Sequence, residues 1–146
     1  EKLDLLMAAA QAAPTAKNLQ PQRIFVLRSP EAIEKVKLCT PCHFGASVVI
    51  AVGYDASEAW VRRDGKNHGE IDAAIVATHI MLQAADIGLG TTYVGVFDQE
   101  ELKREFPQFQ NLEIIALLPV GYPAEGAQPA PLHNERKTVE EIVTYL

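Results

Sequence analysis

Residues 14–21 read Pro14-Thr15-Ala16-Lys17-Asn18-Leu19-Gln20-Pro21 and separate an amphipathic helical pattern from an apolar extended run, Arg23 to Leu27. Proline fixes φ at both ends of this stretch, and the residue before a proline is pushed towards extended geometry. Between the prolines, Thr15, Asn18 and Gln20 carry short polar side chains that donate and accept hydrogen bonds. The stretch therefore predicts a stiff polar loop, which is either a helix-to-strand connector or a ligand-binding loop.

Helical and extended patterns alternate along the rest of the chain. Apolar residues recur at helical spacing before Pro14 and again from Ile71 to a stop at Gly88, and Ser29 and Asp98 are good helix caps. Strands are predicted at 23–27, 47–53, 91–96 and 113–120. We expect residues 24–27 to be buried and 47–53, apolar throughout, to be covered on both faces. Four strands alternating with five helices predict a sheet covered by helices, in a single domain of residues 1–146.

The long helix before Gly88 carries an apolar stripe at helical spacing. A helix this apolar is either central to the fold or packed against a second subunit. The stripe consists of Ile71, Ala74, Ile75, Thr78, Leu82 and Ala85.

Composition and charge exclude several classes of protein. A net charge of −6 over 146 residues argues against a nucleic-acid binder, which needs a basic face to neutralise phosphates. No apolar run approaches the roughly 20 residues that cross a bilayer. No signal peptide is recognisable, so a cytoplasmic location is the default expectation. The chain opens at Glu1 without a methionine, which leaves room for sequence upstream of it.

The two cysteines lie in Cys39-Thr40-Pro41-Cys42-His43, which fits a redox dithiol, half of a zinc site, or a haem attachment sequence. Zinc needs two more ligands, and the other histidines are scattered without ligand spacing. A redox dithiol normally follows a strand at a helix N-terminus, whereas this pair follows a helix and precedes a strand. The favoured interpretation is therefore two loop thiols, with the three chemistries kept as alternatives.

Three further segments are candidates for ligand binding. Gly88-Leu89-Gly90 has the wrong order for a dinucleotide fingerprint, and Gly88 is better explained as a helix cap. Thr91-Thr92-Tyr93-Val94-Gly95 offers hydroxyls, backbone amides and an aromatic ring, or is simply a β-branched strand. His133, Arg136 and Lys137 form the one basic cluster, which is either an anion site or a solvated arm. No serine–histidine–acid set or spaced carboxylate pair supports hydrolysis.

These motifs, taken in order, resemble the nitroreductase family of flavin mononucleotide (FMN) enzymes. The family places a Pro-Ser-x-x-Asn-x-Gln-Pro-Trp loop between a helix and a strand, as residues 14–22 do here. Its long central helix ends in a Gly-Leu-Gly-Thr-x-Trp-Ile-Gly-like segment, similar to residues 88–95. A Gly-Tyr-Pro at 121–123 and an element similar to Arg136, Lys137, Glu140 and Glu141 follow. Each motif is weak alone, whereas four in sequence are specific enough to name the family.

The resemblance implies an α+β fold, with a mainly antiparallel sheet flanked by helices in a three-layer sandwich. It also implies an intertwined homodimer that binds FMN at the subunit interface. The loop would contribute Thr15, Asn18, Gln20 and the backbone of Ala16. The remaining implied FMN ligands are Thr92, Tyr93, Val94 and Gly95 along the isoalloxazine ring, and Arg136 at the phosphate.

The activity implied by the resemblance is ping-pong reduction. NAD(P)H would reduce the flavin, and an electron-poor acceptor such as a nitroaromatic or a quinone would reoxidise it. No side chain need act as acid or base, because the flavin performs the hydride chemistry. Two alternatives stay open: a flavin-binding dimeric module with degenerate or different chemistry, and a haem or thiol redox protein that uses Cys39 and Cys42.

Two departures from the family pattern bear on the site. The family's N-terminal Arg-Arg-Ser, which holds the flavin phosphate and ribityl chain, would lie upstream of Glu1. Gln22 replaces the usual tryptophan after the loop and removes an apolar anchor there.

Overall fold

The computed structural model describes all 146 residues as four strands, five α-helices and three short 3-10 turns. The helices are α1 (Lys2–Ala12), α2 (Pro30–Cys39), α3 (Gly69–Asp86), α4 (Gln99–Glu105) and α5 (Val139–Ile142). The strands are β1 (Gln22–Leu27), β2 (Val48–Tyr54), β3 (Gly90–Thr91) and β4 (Glu113–Gly121). The predicted number and order of elements are therefore confirmed.

The strands form one antiparallel sheet in the order β1-β2-β4-β3. Gln22 pairs with Tyr54 at one end of the sheet, and Val48 pairs with Val120 at the other. β1 and β3 are the two edge strands, three strand spacings apart, which is about 14 Å.

Helices cover both faces of the sheet. Side chains alternate along β2, so that Ile50 and Val52 pack under α1 and α3, whereas Val49 and Ala51 pack under α2 and α4. All four of these residues are at most 1% exposed. The coverage of this strand on both faces and the α+β three-layer sandwich are thereby confirmed.

The prediction that residues 24–27 form a buried strand is only partly correct. Ile24, Phe25 and Val26 are half-buried, and only Leu27 is buried. The reason is topological, because β1 lies at an edge and has a neighbouring strand on one side only. Periodicity does not distinguish an apolar edge strand from a central one.

The strand predicted at 91–96 is shorter than expected, because β3 contains only Gly90 and Thr91. In register with the pairs that do form, Thr92 falls opposite Pro119 of β4. Proline has no N–H to donate, so the pairing stops there and resumes only as a single bridge between Val94 and Leu117. Pro119 thus leaves Thr92 unpaired along this edge, whereas the N–H of Tyr93 is free because it lies at an outward-facing position of the ladder.

Helix α3 is apolar on two faces. Val76, Ile80 and Ala84 are fully buried in the core. The helix ends as predicted at Gly88, whose φ is +75°, with Gly88 N–H donating to Ala85 O and Leu89 N–H to Ala84 O. The stripe predicted from the sequence is the other face, which is exposed or half-buried; its members are Ile71, Ala74, Ile75, Thr78, Leu82 and Ala85.

Residues 121–146 form an arm whose every residue is exposed. Its short helix α5 carries a capping box, in which the side chains of Thr138 and Glu141 each accept from the other's backbone N–H. At α4, Asp98 caps the helix as predicted, while Glu101 pairs with Arg104 instead of completing a capping box. No helix of the structure has the length and apolarity that a membrane span requires.

Candidate functional site

The loop of residues 14–21 is held in a conformation that most residues avoid. Lys17, Asn18 and Gln20 have φ values of +50°, +55° and +53°, although none of them is glycine. Such left-handed backbone is costly for residues with a Cβ, and it persists where the surrounding structure enforces it, often at binding sites. These angles show an unusual backbone conformation, whereas the stiffness of the loop stays a prediction.

A buried carboxylate contacts this loop from a distance of 56 residues in sequence. Asp72, in the first turn of α3, is 2% exposed and accepts a hydrogen bond from Ala16 N–H through Oδ1 at 2.9 Å. Our sequence interpretation missed Asp72. The sequence did contain a signal that Asp72 is buried, because residues 72, 76, 80 and 84 share one face of the helix and the last three are apolar.

Several hydrogen bonds hold the loop together internally. Thr15 Oγ1 accepts from Gln20 N–H at 3.1 Å, and Gln20 Nε2 donates to Asn18 O at 3.3 Å. The Ala16 N–H is engaged by Asp72, so it is not free for a ligand. The side chain of Asn18 is exposed and makes no hydrogen bond within the chain.

The segment after β3 alternates between paired and free backbone. Val94 exchanges two hydrogen bonds of 3.0 Å with Leu117, and its side chain is 3% exposed in the core. Tyr93 and Gly95, on either side, have backbone N–H groups without an acceptor in the protein. At Gly95 a Cβ would meet nothing within 4 Å, so this backbone is open to a close approach. Val94 was predicted to contribute to a flavin site, but its side chain packs in the core and its N–H already donates to Leu117 O.

Tyr93 adds an aromatic ring to this edge. It is 42% exposed, and burial of the remainder, with the nearby Glu70 carboxylate, raises the pKa of its hydroxyl. The phenol is therefore neutral at physiological pH and remains a hydrogen-bond donor.

A cavity of about 470 Å³ opens beside Thr92, where Pro119 interrupts the sheet. Its walls include the exposed aromatic rings of Phe44 and Tyr122. The Phe44 loop is fixed by Thr40, which is 3% exposed, donates to Val96 O and accepts from Cys42 N–H at 3.0 Å. In the sequence analysis we considered the segment around Thr40 only for its two cysteines, and we therefore did not predict that the loop after it forms a wall of the cavity.

The structure does not bring the predicted site residues into one pocket. Thr15, Ala16, Asn18 and Gln20 precede β1, whereas Thr92 to Gly95 follow β3 at the opposite edge of the sheet. Arg136 lies on the exposed arm, where its Nη1 donates only to Leu132 O and Glu135 O. The site residues thus form three separate groups in a single chain.

The cysteine pair has none of the features of a reactive centre. Cys39 is 3% exposed and donates to Lys35 O, and burial, reinforced by nearby acidic side chains, raises the pKa of its thiol to about 11. A redox-active thiol needs the opposite shift. No group of three or more metal-ligating side chains occurs in the structure, so zinc has no ligand set here. The interpretation of the pair as unreactive thiols is therefore favoured, but only Cys42 lies in a loop, because Cys39 is the last residue of α2 and belongs to the core.

We expect iodoacetamide at pH 8 to label Cys42 and to spare Cys39 in the folded protein. With a pKa of about 11, roughly one Cys39 in a thousand is a thiolate at pH 8. Peptide mass spectrometry of a time course measures the two rates, and labelling of both cysteines in guanidinium serves as the control. Equal rates in the folded protein would contradict this assignment.

Comparison with known proteins identifies the family. A family model described as the nitroreductase family matches residues 1–40 and 37–122. The chain belongs to the nitroreductase family. The resemblance drawn from the sequence motifs is therefore confirmed, including the region of the predicted loop and the glycine-rich segment after α3.

Several relatives within the family cover most of this chain. A Methanothermobacter thermautotrophicus protein, named as an NADH dehydrogenase/NAD(P)H nitroreductase, is 30% identical over an alignment of 140 residues that covers 86% of this chain and 68% of the relative. A crystal structure of a nitroreductase family protein from Clostridium difficile 630 superposes with a TM-score of 0.90 and 36% identity, covering 99% of this chain and 84% of the other.

A third relative shares the fold at lower identity. A nitroreductase from Exiguobacterium sibiricum, solved in complex with FMN, superposes with a TM-score of 0.78 at 18% identity. The match covers 99% of this chain and 86% of the other.

Proposed function

We propose that this protein is an FMN-dependent homodimeric oxidoreductase that passes a hydride from NAD(P)H to an electron-poor acceptor, a nitroaromatic or a quinone. Membership of the nitroreductase family makes it an NAD(P)H-dependent oxidoreductase. The observation that carries the assignment of FMN is the open backbone at Tyr93 and Gly95, at the position where the family pattern lines the flavin ring.

The groups available along this edge fit a flavin. Its ring system presents carbonyl oxygens and nitrogens that accept hydrogen bonds, and the N–H groups of Tyr93 and Gly95 are two donors without partners. The absence of a Cβ at Gly95 permits a flat ring to lie against the backbone. Thr92 adds a hydroxyl at the cavity wall. Arg136 would hold the phosphate through charge-assisted hydrogen bonds.

The separation of these groups supports a site shared between two copies of the chain. The loop of residues 14–21 and the segment of residues 92–95 lie at opposite edges of the sheet, and the cavity contains no residue of the loop. A flavin that contacts both would take the loop from one protomer and the open edge from its partner. In a two-fold dimer this arrangement produces two equivalent sites.

Two apolar surfaces of the single chain support the same assembly. The exposed face of α3 carries Ile71 and Leu82, which are 40% and 66% exposed. The arm carries Leu132, Ile142 and Tyr145, each at least 67% exposed. Its first residues do contact the body of the chain, since Gly121 pairs with Gly90 and the Tyr122 ring lies 4.7 Å from Lys2 Nζ. Exposed apolar surface of this extent is typical of an interface. We infer that the two α3 helices meet and that each arm wraps the other protomer.

FMN, when bound, would supply the two-electron chemistry by accepting a hydride and passing it on. The protein's own residues bind, orient and exclude water. Unpaired amides at Tyr93 and Gly95 are placed to stabilise negative charge that develops on a bound ring. Phe44 and Tyr122 give the cavity apolar walls suited to a planar acceptor. NAD(P)H and acceptor would use this cavity in turn, which is the basis of a ping-pong mechanism.

We expect the purified protein to bind FMN, to turn yellow, and to lose the colour when NADH or NADPH is added without oxygen. Addition of a quinone should then restore the colour in a separate step, as a ping-pong mechanism requires. Absorbance spectra recorded after each addition make the measurement, with free FMN at equal concentration as the control.

Each alternative predicts a different spectrum. A yellow protein that neither nicotinamide bleaches would indicate a flavin-binding module without this turnover. A red haem spectrum would support the cysteine-based alternative. A protein that cannot be loaded with FMN would refute the proposed function. The single domain and the cytoplasmic location stay predictions.

A further inference from the structure

Asp72 has one carboxylate oxygen that its surroundings leave unused. Oδ1 accepts from Ala16 N–H, whereas Oδ2 is buried and has no hydrogen-bond partner. Asp72 and Thr40 are the two polar side chains buried in this fold, and each tethers a loop of the candidate site. Burial of a carboxylate with an unpaired oxygen costs stability, so fold stability alone does not account for this residue.

The backbone that Asp72 tethers needs an external restraint. Ala16 begins the 3-10 turn in which Lys17 and Asn18 adopt positive φ, and Gln20 adopts it two residues later. Three such residues together favour relaxation to ordinary backbone unless a contact prevents it. The Ala16–Asp72 bond is the only side-chain hydrogen bond that joins residues 14–20 to the rest of the protein; at Pro21, the last residue of the loop, the carbonyl oxygen also accepts from Arg23 Nη1.

A second contact strengthens the connection between the loop and the start of α3. Lys17 Nζ lies 5.9 Å from the centre of the Trp60 ring, and Trp60 packs against His68 with centroids 4.6 Å apart. His68 O in turn accepts from Asp72 N–H at 2.9 Å. The loop is therefore linked to the N-terminal end of α3 in two ways, directly through Asp72 and through the contacts from Lys17 to Trp60 and His68.

We propose that Asp72 is a positioning residue that holds the loop of residues 14–21, through the Ala16 amide, in the conformation that binds flavin. Asp72 acts on the loop rather than on the reacting atoms. The inference rests on the proposed function for the identity of the ligand. The inference that Asp72 holds the loop conformation rests only on the contacts described above, and a measurement without FMN tests it separately.

The test without flavin is limited proteolysis of the apo-protein by trypsin. Lys17 is exposed in the loop, so cleavage after it reports how often the loop opens. Asp72→Leu removes the acceptor, and we expect cleavage after Lys17 to be about tenfold faster at unchanged melting temperature, since replacing a buried charge by an apolar group often leaves the fold stable. Asp72→Asn keeps an oxygen for Ala16 N–H and should cleave within about twofold of the parent protein.

Cleavage after Lys66, in the exposed turn before α3, is the internal control. Acceleration at Lys66 equal to that at Lys17 would mean general unfolding and would overturn the proposal. Equal rates at Lys17 in all three proteins would overturn it as well. If Asp72→Leu does not fold, Ala16→Pro replaces it in the comparison.

Ala16→Pro removes the hydrogen-bond donor without touching Asp72. Thr15 has φ −132° and ψ 156°, the extended geometry that a following proline requires, and Ala16 is the first residue of its turn, where proline is tolerated. The FMN dissociation constants of the parent, the two single variants and the double variant then form a thermodynamic cycle.

If the two residues act through one bond, each single variant should weaken FMN binding about tenfold and the double variant no further. Effects that multiply in the double variant would overturn the role of the Ala16 amide. Asp72→Asn should restore the affinity. A parent protein that fails to bind FMN would refute the proposed function, whereas the proteolysis result would still decide whether Asp72 positions the loop.

Discussion

Gly95→Leu is expected to weaken FMN binding by about 100-fold, as the loss of one or two charge-assisted contacts would. In the folded chain a Cβ at Gly95 meets no atom within 4 Å. A leucine there would therefore fit the isolated protomer but occupy the space that a flat ring needs above the Tyr93 and Gly95 amides. Fluorescence titration of FMN measures the affinity, and thermal unfolding of the apo-protein tests whether the fold is retained.

A graded series makes this prediction specific. Gly95→Ala adds one methyl group and should have an effect between those of the parent and of Gly95→Leu. Glu100→Leu adds the same side chain to an exposed position on α4 and should leave FMN affinity unchanged. Retained affinity in Gly95→Leu would place the flavin away from this edge and would undermine the proposed site.

Leu132→Asp and Ile142→Asp, combined in one variant, are expected to dissociate the dimer. Both side chains are about 70% exposed in the protomer, so an isolated chain should tolerate aspartate there. If the arms pack against the partner, each aspartate must lose its water in an apolar contact, at a cost of about 2 kcal/mol or roughly 30-fold in the dimer dissociation constant. Analytical ultracentrifugation over a range of concentrations measures this constant.

Leu38→Asp is the matched control for the arm variant. Leu38 is 66% exposed on α2 and belongs to neither the arm nor the exposed face of α3. The same substitution there should leave the dimer intact. A parent protein that is monomeric, or a dimer that survives both arm substitutions, would reject the wrapped-arm assembly.

Local sequence signals predicted most of the fold. The two prolines around the loop, the Ser29 cap and the glycine after α3 each act within a few residues, and the structure places most element boundaries close to the predicted ones. The exception is β3, which ends at Thr91 and not at residue 96. The order of the motifs along the chain then identified the family, because each motif is a short stretch of sequence that can be recognised locally.

Features that depend on distant contacts were harder to predict. The edge position of β1 follows from the strand order, which no local pattern encodes. Asp72 acts on Ala16 across 56 residues and looks like an ordinary polar residue until the buried face of α3 is known. The predicted role of Arg136 also could not be checked from local patterns. Within one chain its Nη1 contacts only carbonyl oxygens of the arm, so a phosphate site there would need residues of a second protomer.

Pro119 has a consequence for how this protein can change by mutation. Its missing N–H leaves Thr92 without a partner in β4, at a point where both residues line the cavity. Most other residues at position 119 would supply a donor opposite Thr92 and favour extension of β3 along the edge. The break in the sheet beside the cavity therefore depends on the missing amide hydrogen of Pro119. Almost any single substitution of Pro119 would favour a longer β3 and a more regular sheet at this edge.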